Sequence, residues 1–101
     1  MQQQGFELRG SFQYVTVAAL DGALASARSQ IDDDDQGEHA DEWMRGFSRR
    51  GATLQVAARL PASADRYLAA EVIDVLARTA VGGVVEIQHG GRCVDLFTAK
   101  A

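Results

Sequence analysis

Two consecutive glycines, Gly90 and Gly91, stand between two short runs of alternating apolar residues, Val85-Glu86-Ile87 and Val94-Asp95-Leu96. Glycine adopts positive φ without steric cost, so such a pair specifies a two-residue hairpin turn and sets the pairing of both arms. In that register Ile87 faces Val94 and Val85 faces Leu96, which makes one apolar face. The other face pairs Glu86 with Asp95 and Gln88 with Cys93, and Val84 and Phe97 share it. A hairpin over residues 84–98 with one apolar face needs another layer to cover it.

The rest of the chain supplies that layer. Phe6, Leu8, Gly10 and Phe12 alternate with Glu7, Arg9 and Ser11, which reads as a strand over 6–12. Tyr14 and Thr16 continue the same phase, and Gly10 marks a bulge or a close backbone approach. Val17, Leu20, Leu24, Ala27 and Ile31 recur at helical steps, so 17–31 reads as a helix with Thr16 or Asp21 as its cap. Residues 43–60 read as a second hairpin. Trp43, Arg45 and Phe47 alternate on one arm, and Leu54, Val56, Ala58 and Leu60 on the other. A turn at Arg50-Gly51 pairs Phe47 with Leu54 and Trp43 with Ala58, whereas a bulged turn shifts that register. Pro61 then ends the strand. A second helix is predicted over 64–80, with Ser63 as cap, Asp65 in the first turn, and Leu68, Val72, Val75, Leu76 and Thr79 on one face. Gly82-Gly83 is its stop signal.

The predicted order is therefore strand, helix, hairpin, helix, hairpin. This is a split β-α-β unit repeated, with one strand added. The expected fold is α+β: a two-layer sandwich with two helices on one face of a mainly antiparallel sheet, a ferredoxin-like plait. The 101 residues suit a single domain, with residues 1–5 as a flexible amino end. No apolar run approaches the roughly 18 residues of a membrane span. Met1-Gln2-Gln3-Gln4-Gly5 lacks the basic and apolar regions of a signal peptide. With one cysteine and no internal disulfide, a cytoplasmic protein is expected.

Charge is the second constraint. Asp32, Asp33, Asp34, Asp35, Glu38, Asp41 and Glu42 supply half of the 14 acids, although the net charge is only -4. Outside that segment seven acids meet ten bases, nine of them arginine. The chain is a mildly basic body carrying one acidic connection, residues 32–42, which reads as a solvated loop. Clustered charge steers association. Asp32, Asp33, Asp34, Asp35, Glu38, Asp41, Glu42 and the adjoining Trp43 are thus the candidate protein contacts.

Other constellations are weaker. An EF-hand register started at Asp32 puts Gly37 at the sixth position but Trp43 at the twelfth, where a carboxylate is required. Asp32, Asp34, His39 and Glu42 remain the only metal-ligand candidates, and no metal or other cofactor is expected. His89 and Cys93 fall on opposite faces of the predicted hairpin, so they do not form a nucleophile–base pair. Glu86 and Asp95 read as facing like charges on an exposed sheet face. Arg45, Arg49, Arg50 and Arg59 could make a basic hairpin surface beside Trp43, Phe47 and Tyr67, but the acidic balance argues against nucleic acid as partner. Trp43, Tyr67, His89 and Arg92 are the candidates for lining a ligand pocket.

No catalytic set emerges, and the sequence leans away from an enzyme. The leading expectation is a small soluble protein-binding protein of immunity-like, antitoxin-like or regulatory type. It would use the acidic loop and an exposed sheet surface. One alternative is a metal- or small-ligand-binding plait domain or small dimeric enzyme. The other is a structural homodimer.

Overall fold

The computed structural model describes residues 5–33, 40–60, 64 and 66–101. The expectations for residues 1–4, for Pro61, Ser63 and Asp65, and for Asp34, Asp35, Glu38 and His39 lie outside the described residues. Eight elements follow in order. They are β1 (Phe6–Gln13), α1 (Val17–Asp32), α2 (Ala40–Arg45), β2 (Phe47–Arg50), β3 (Thr53–Arg59), α3 (Arg66–Arg78), β4 (Gly82–His89) and β5 (Arg92–Thr98). The strands form one five-stranded sheet in the order β2-β3-β1-β4-β5. Every pairing among them is antiparallel. The fold is thus α+β, with helices packed on one face of the sheet.

The alternation in β1 does what its period requires. Leu8 and Phe12 are fully buried on the helix side, and Tyr14 continues their phase. β1 is the central strand, paired with β3 on one edge and β4 on the other. Gly10 permits close approach: at φ 145 a Cβ there would collide with the backbone of Val84 and Val85. In α1 the Thr16 hydroxyl accepts from the Ala19 amide at 3.1 Å, as an N-cap should. Leu20, Ala23, Ala27 and Ile31 are buried, whereas Val17 is exposed. In α3 the buried stripe is Leu68, Ala69, Val72, Ile73, Leu76 and Ala77; Thr79, expected on it, is exposed.

Four expectations are corrected. Residues 40–45 are helix, so Trp43 and Arg45 do not belong to a strand, and the acidic connection is not loop throughout. The hairpin arm begins only at Phe47. It pairs Phe47 with Val56 and Arg50 with Thr53 around Gly51-Ala52, two residues from the expected register. Gly51 has φ 60 while Ala52 has no positive φ, the pattern of a type II′ turn. Gly82 and Gly83 open β4 instead of merely stopping α3, and a Cβ on Gly83 would strike the backbone of Ser11 and Phe12.

The fourth correction concerns the hairpin around Gly90-Gly91. Both glycines have positive φ, and His89 pairs with Arg92 and Gln88 with Cys93 as the turn predicts. Beyond Gln88 the register shifts by one, because Val94 bulges out of the ladder. Ile87 therefore faces Asp95, Val85 faces Phe97, and Glu86 faces Leu96. Glu86 and Asp95 are on opposite faces of the sheet, and so are Val84 and Phe97.

The sheet face away from the helices carries exposed Val84 and Leu96 beside a set of compensated polar side chains. Glu7 receives Arg9 at 3.1 Å and Arg59 at 3.2 Å, Arg9 stands opposite Glu86, and Gln88 donates to Glu86 at 2.8 Å. The hydrogen bond from Arg9, reinforced by Arg59, holds the Glu7 carboxyl below the usual carboxylate range. No helix among the described residues is long and apolar enough to cross a membrane.

Candidate protein-contact surface

The described ends of the acidic segment meet around one arginine. α1 finishes at Asp32, and Asp33 is its C-cap, with the Asp33 amide donating to the Ser29 carbonyl at 3.0 Å. α2 begins at Ala40 and places Asp41 and Glu42 in its first turn. Arg28 reaches both sides: its guanidinium lies 3.9 Å from Asp32 and 3.1 Å from Asp41. Asp32, Asp33, Asp41 and Glu42 are all exposed.

The two pairs of acids differ in what the backbone offers them. Asp41 and Glu42 sit at the positive end of a helix dipole, where carboxylates are stabilised. Asp32 and Asp33 sit at the negative end of α1, where they are disfavoured, and no basic residue occupies the last turn of α1 to offset them. Arg28 precedes Asp32 by four positions, which is the weaker orientation for a helical ion pair. The surface therefore concentrates negative charge at a local electrostatic cost.

Trp43, expected among the protein contacts, is not on this surface. It is fully buried and anchors the six-residue α2 to the core, which is too short to persist alone. Its indole Nε1 has no hydrogen-bond partner among the described residues. The chain leaves α2 through Gly46, where a Cβ would strike Ala58 of β3, and the Gly46 carbonyl accepts from the Ala57 amide at 2.8 Å. The signal for this helix was present in the sequence: two acids in the first turn, Arg45 in the last, and glycine next.

The remaining candidates are spread out. Tyr67 is exposed on the first turn of α3. His89 packs its ring on Phe6 with centroids 4.8 Å apart, and Arg92 is its register partner across the turn. Cys93 is exposed with a free thiol, its Sγ 3.2 Å from the Asp95 carbonyl. His89 and Cys93 stand on opposite sheet faces, as expected. The expected basic hairpin surface is divided. Arg49 pairs with Asp21 of α1, and Arg59 pairs with Glu7 on the open face.

A separate groove of about 610 Å³ crosses α3 toward β5, lined among others by Glu71, Asp74, Arg78, Asp95 and Phe97. Asp74 is neutralised there by Lys100 and by Arg78, whose Nη2 lies 2.9 Å away. The Lys100 hydrogen bond is the main cause that holds the Asp74 carboxyl below its ordinary range. A neighbouring groove of about 570 Å³ runs between α1 and α3 over Ala19, Gly22, Ala23 and Ser26. Trp43, Tyr67, His89 and Arg92 line neither groove. Among the described residues no three or more His, Cys, Asp or Glu side chains are grouped to hold a metal ion. Asp32 and Glu42 of the metal candidates are exposed, while Asp34 and His39 lie outside the described residues.

Comparison with known protein families, with curated proteins and with solved structures finds no match.

Proposed function

We propose that this chain is a non-enzymatic protein-binding module that presents its acidic segment to a basic surface on a partner. One observation carries this reading: Asp32 and Asp33 occupy the carboxyl end of α1, exposed and opposed to the helix dipole. Charge kept where it weakens the local structure is characteristic of a functional surface. A regulatory, immunity-like or antitoxin-like role fits such a module. We read the architecture as a single-domain ferredoxin-like plait with β5 added at the edge of β4. The interleaved order β2-β3-β1-β4 and the two covering helices support that assignment. The free thiol of Cys93, the only cysteine, supports a cytoplasmic setting.

The test is to recover the partner from native cells with the full chain, identify it, and measure its binding to wild type and to Asp32→Asn/Asp33→Asn. The expected result is weaker binding together with higher stability, by about 0.3–1 kcal/mol per relieved charge. Binding unchanged by the double substitution would sink the acidic-contact reading.

The groove beside α3 favours a second reading, a domain that binds a small cationic ligand. Glu71 and Asp95 supply carboxylates there, and Phe97 supplies an apolar floor. Calorimetric titration with a polyamine distinguishes the two: heat that disappears in Glu71→Gln supports the groove.

A further inference from the structure

The bulge at Val94 does more than shift a register. An unbroken ladder would turn Val94 and Leu96 toward the helices and Asp95 and Phe97 toward the open face. The bulge reverses this choice: Leu96 is left 53% exposed, while Asp95 and Phe97 line the groove beside α3. Burial of apolar surface favours the unbroken ladder. Bulges that re-aim a side chain against this preference belong to functional sites. The Arg66 guanidinium, from the first residue of α3, donates to the Val94 carbonyl at 2.8 Å and holds the bulge.

The groove so formed has three carboxylates: Glu71 and Asp74 of α3, and Asp95 of β5. They do not converge on one point, since among the described residues no three such groups are placed to hold a metal ion. Separated carboxylates with apolar surface beside them suit separated ammonium groups joined by methylenes, the chemistry of a linear polyamine. One ammonium is already present. Lys100 donates to Asp74 Oδ1, while Arg78 takes Oδ2. The backbone delivers it: the amides of Ala99, Lys100 and Ala101 donate to Gly83, Ala77 and Ala80 at 3.2, 3.0 and 3.1 Å. Glu71 has no basic partner among the described residues, and the Asp95 carboxylate accepts the Leu96 amide at 3.0 Å.

We propose that Lys100 is a built-in competitor in this groove, its ammonium occupying the Asp74 subsite of a linear-polyamine site completed by Glu71 and Asp95. This rests on the cationic-ligand reading of the groove and adds the regulation of that site. A diamine takes Glu71 and Asp95. The third ammonium of a triamine must displace Lys100 from Asp74 Oδ1.

The test is calorimetric titration of the full chain with spermidine, a triamine, and putrescine, a diamine. Lys100→Met keeps the methylene stem and removes the charge. It is expected to bind spermidine about tenfold more tightly than wild type, the scale of one charge-assisted hydrogen bond, with a smaller change for putrescine. Lys100→Met/Asp74→Asn should lose that gain. Arg50→Met, which removes a positive charge from β2 at the opposite sheet edge, should show none. Spermidine binding that is equal in wild type and Lys100→Met overturns the competitor and leaves the groove reading standing. Absence of spermidine binding in both overturns the two together. An equal gain in Arg50→Met reduces the effect to net charge and overturns the proposal. Circular dichroism checks each fold. If Lys100→Met does not fold, wild type is saturated with spermidine and followed by nuclear magnetic resonance; unmoved Lys100 side-chain signals overturn the proposal.

Discussion

The Tyr14 hydroxyl donates to the Leu76 carbonyl over 2.6 Å, joining the end of β1 to the last turn of α3. The final carbonyls of a helix have no partner within the helix. Here they are satisfied from outside: Tyr14 takes Leu76, and the amides of Ala80 and Lys100 take Ala77. Tyr14→Phe therefore strands a buried carbonyl. It is expected to lower stability by about 1–3 kcal/mol, read from urea unfolding.

The same burial pushes the Tyr14 phenol up to about 12 from its ordinary 10.0. A raised folded-state value favours the neutral form, so this contribution to stability is complete below pH 10 and is lost as pH rises toward 12. A tyrosinate absorbance titration of Tyr67→Phe, in which Tyr14 is the only tyrosine, should show ionisation displaced upward and accompanied by unfolding. Ionisation near 10 in the folded chain would contradict it.

Three glycines separate two effects of adding a methyl group. Gly10 and Gly83 have φ of 145 and 100, and at each a Cβ would meet the backbone of the neighbouring strand. Gly10→Ala and Gly83→Ala are each expected to cost about 2–4 kcal/mol. Gly22 lies inside α1, and among the described residues nothing lies near its would-be Cβ. Gly22→Ala should stabilise by about 0.5–1 kcal/mol. Thermal unfolding of the three variants gives the signs directly.

Trp43 combines complete burial with an indole N–H that has no partner among the described residues. Trp43→Phe loses packing but also removes that stranded donor, so its net effect is expected within about 1 kcal/mol of wild type. Trp43→Ala leaves a cavity and should cost about 3–5 kcal/mol. A loss well above about 1 kcal/mol in Trp43→Phe, measured by denaturant unfolding, would show that the stranded N–H carries little penalty.

Asp74 ties the carboxyl end of the chain to α3 through Lys100 and Arg78. Its carboxyl titrates below the usual value, so its contribution is present above pH about 4 and fades as pH falls through the folded value. Asp74→Asn should flatten the acid limb of the stability profile. An unaltered limb would assign acid unfolding to other carboxylates, Glu7 among them.

Several elements were legible because their signals are local. The alternation of β1, the cap of α1 by Thr16 and the Gly90-Gly91 turn all depend on neighbours in sequence. α2 was missed because Trp43, Arg45 and Phe47 alternate like a strand, while the helix signals around them span only six residues. The bulge at Val94 was not legible at all. It leaves the turn chemistry unchanged yet reverses the face of every residue beyond it, which moves Asp95 and Phe97 toward the helices and Leu96 toward the open face.

The sequence by itself determined the five strands and two long helices in their order, the Gly90-Gly91 turn, most of the apolar stripe of α1 and of α3, and the concentration of acid between α1 and β2. Periodicity and turn chemistry act over a few residues and survive without knowledge of what packs where. The tertiary structure alone decided the sheet order, the register past Gln88, the burial of Trp43 and the partners of the arginines. These choices join residues distant in sequence: Arg66 meets Val94, Arg49 meets Asp21, and Tyr14 meets Leu76. A guanidinium or a phenol finds its acceptor only after the core has set which surfaces lie beside it.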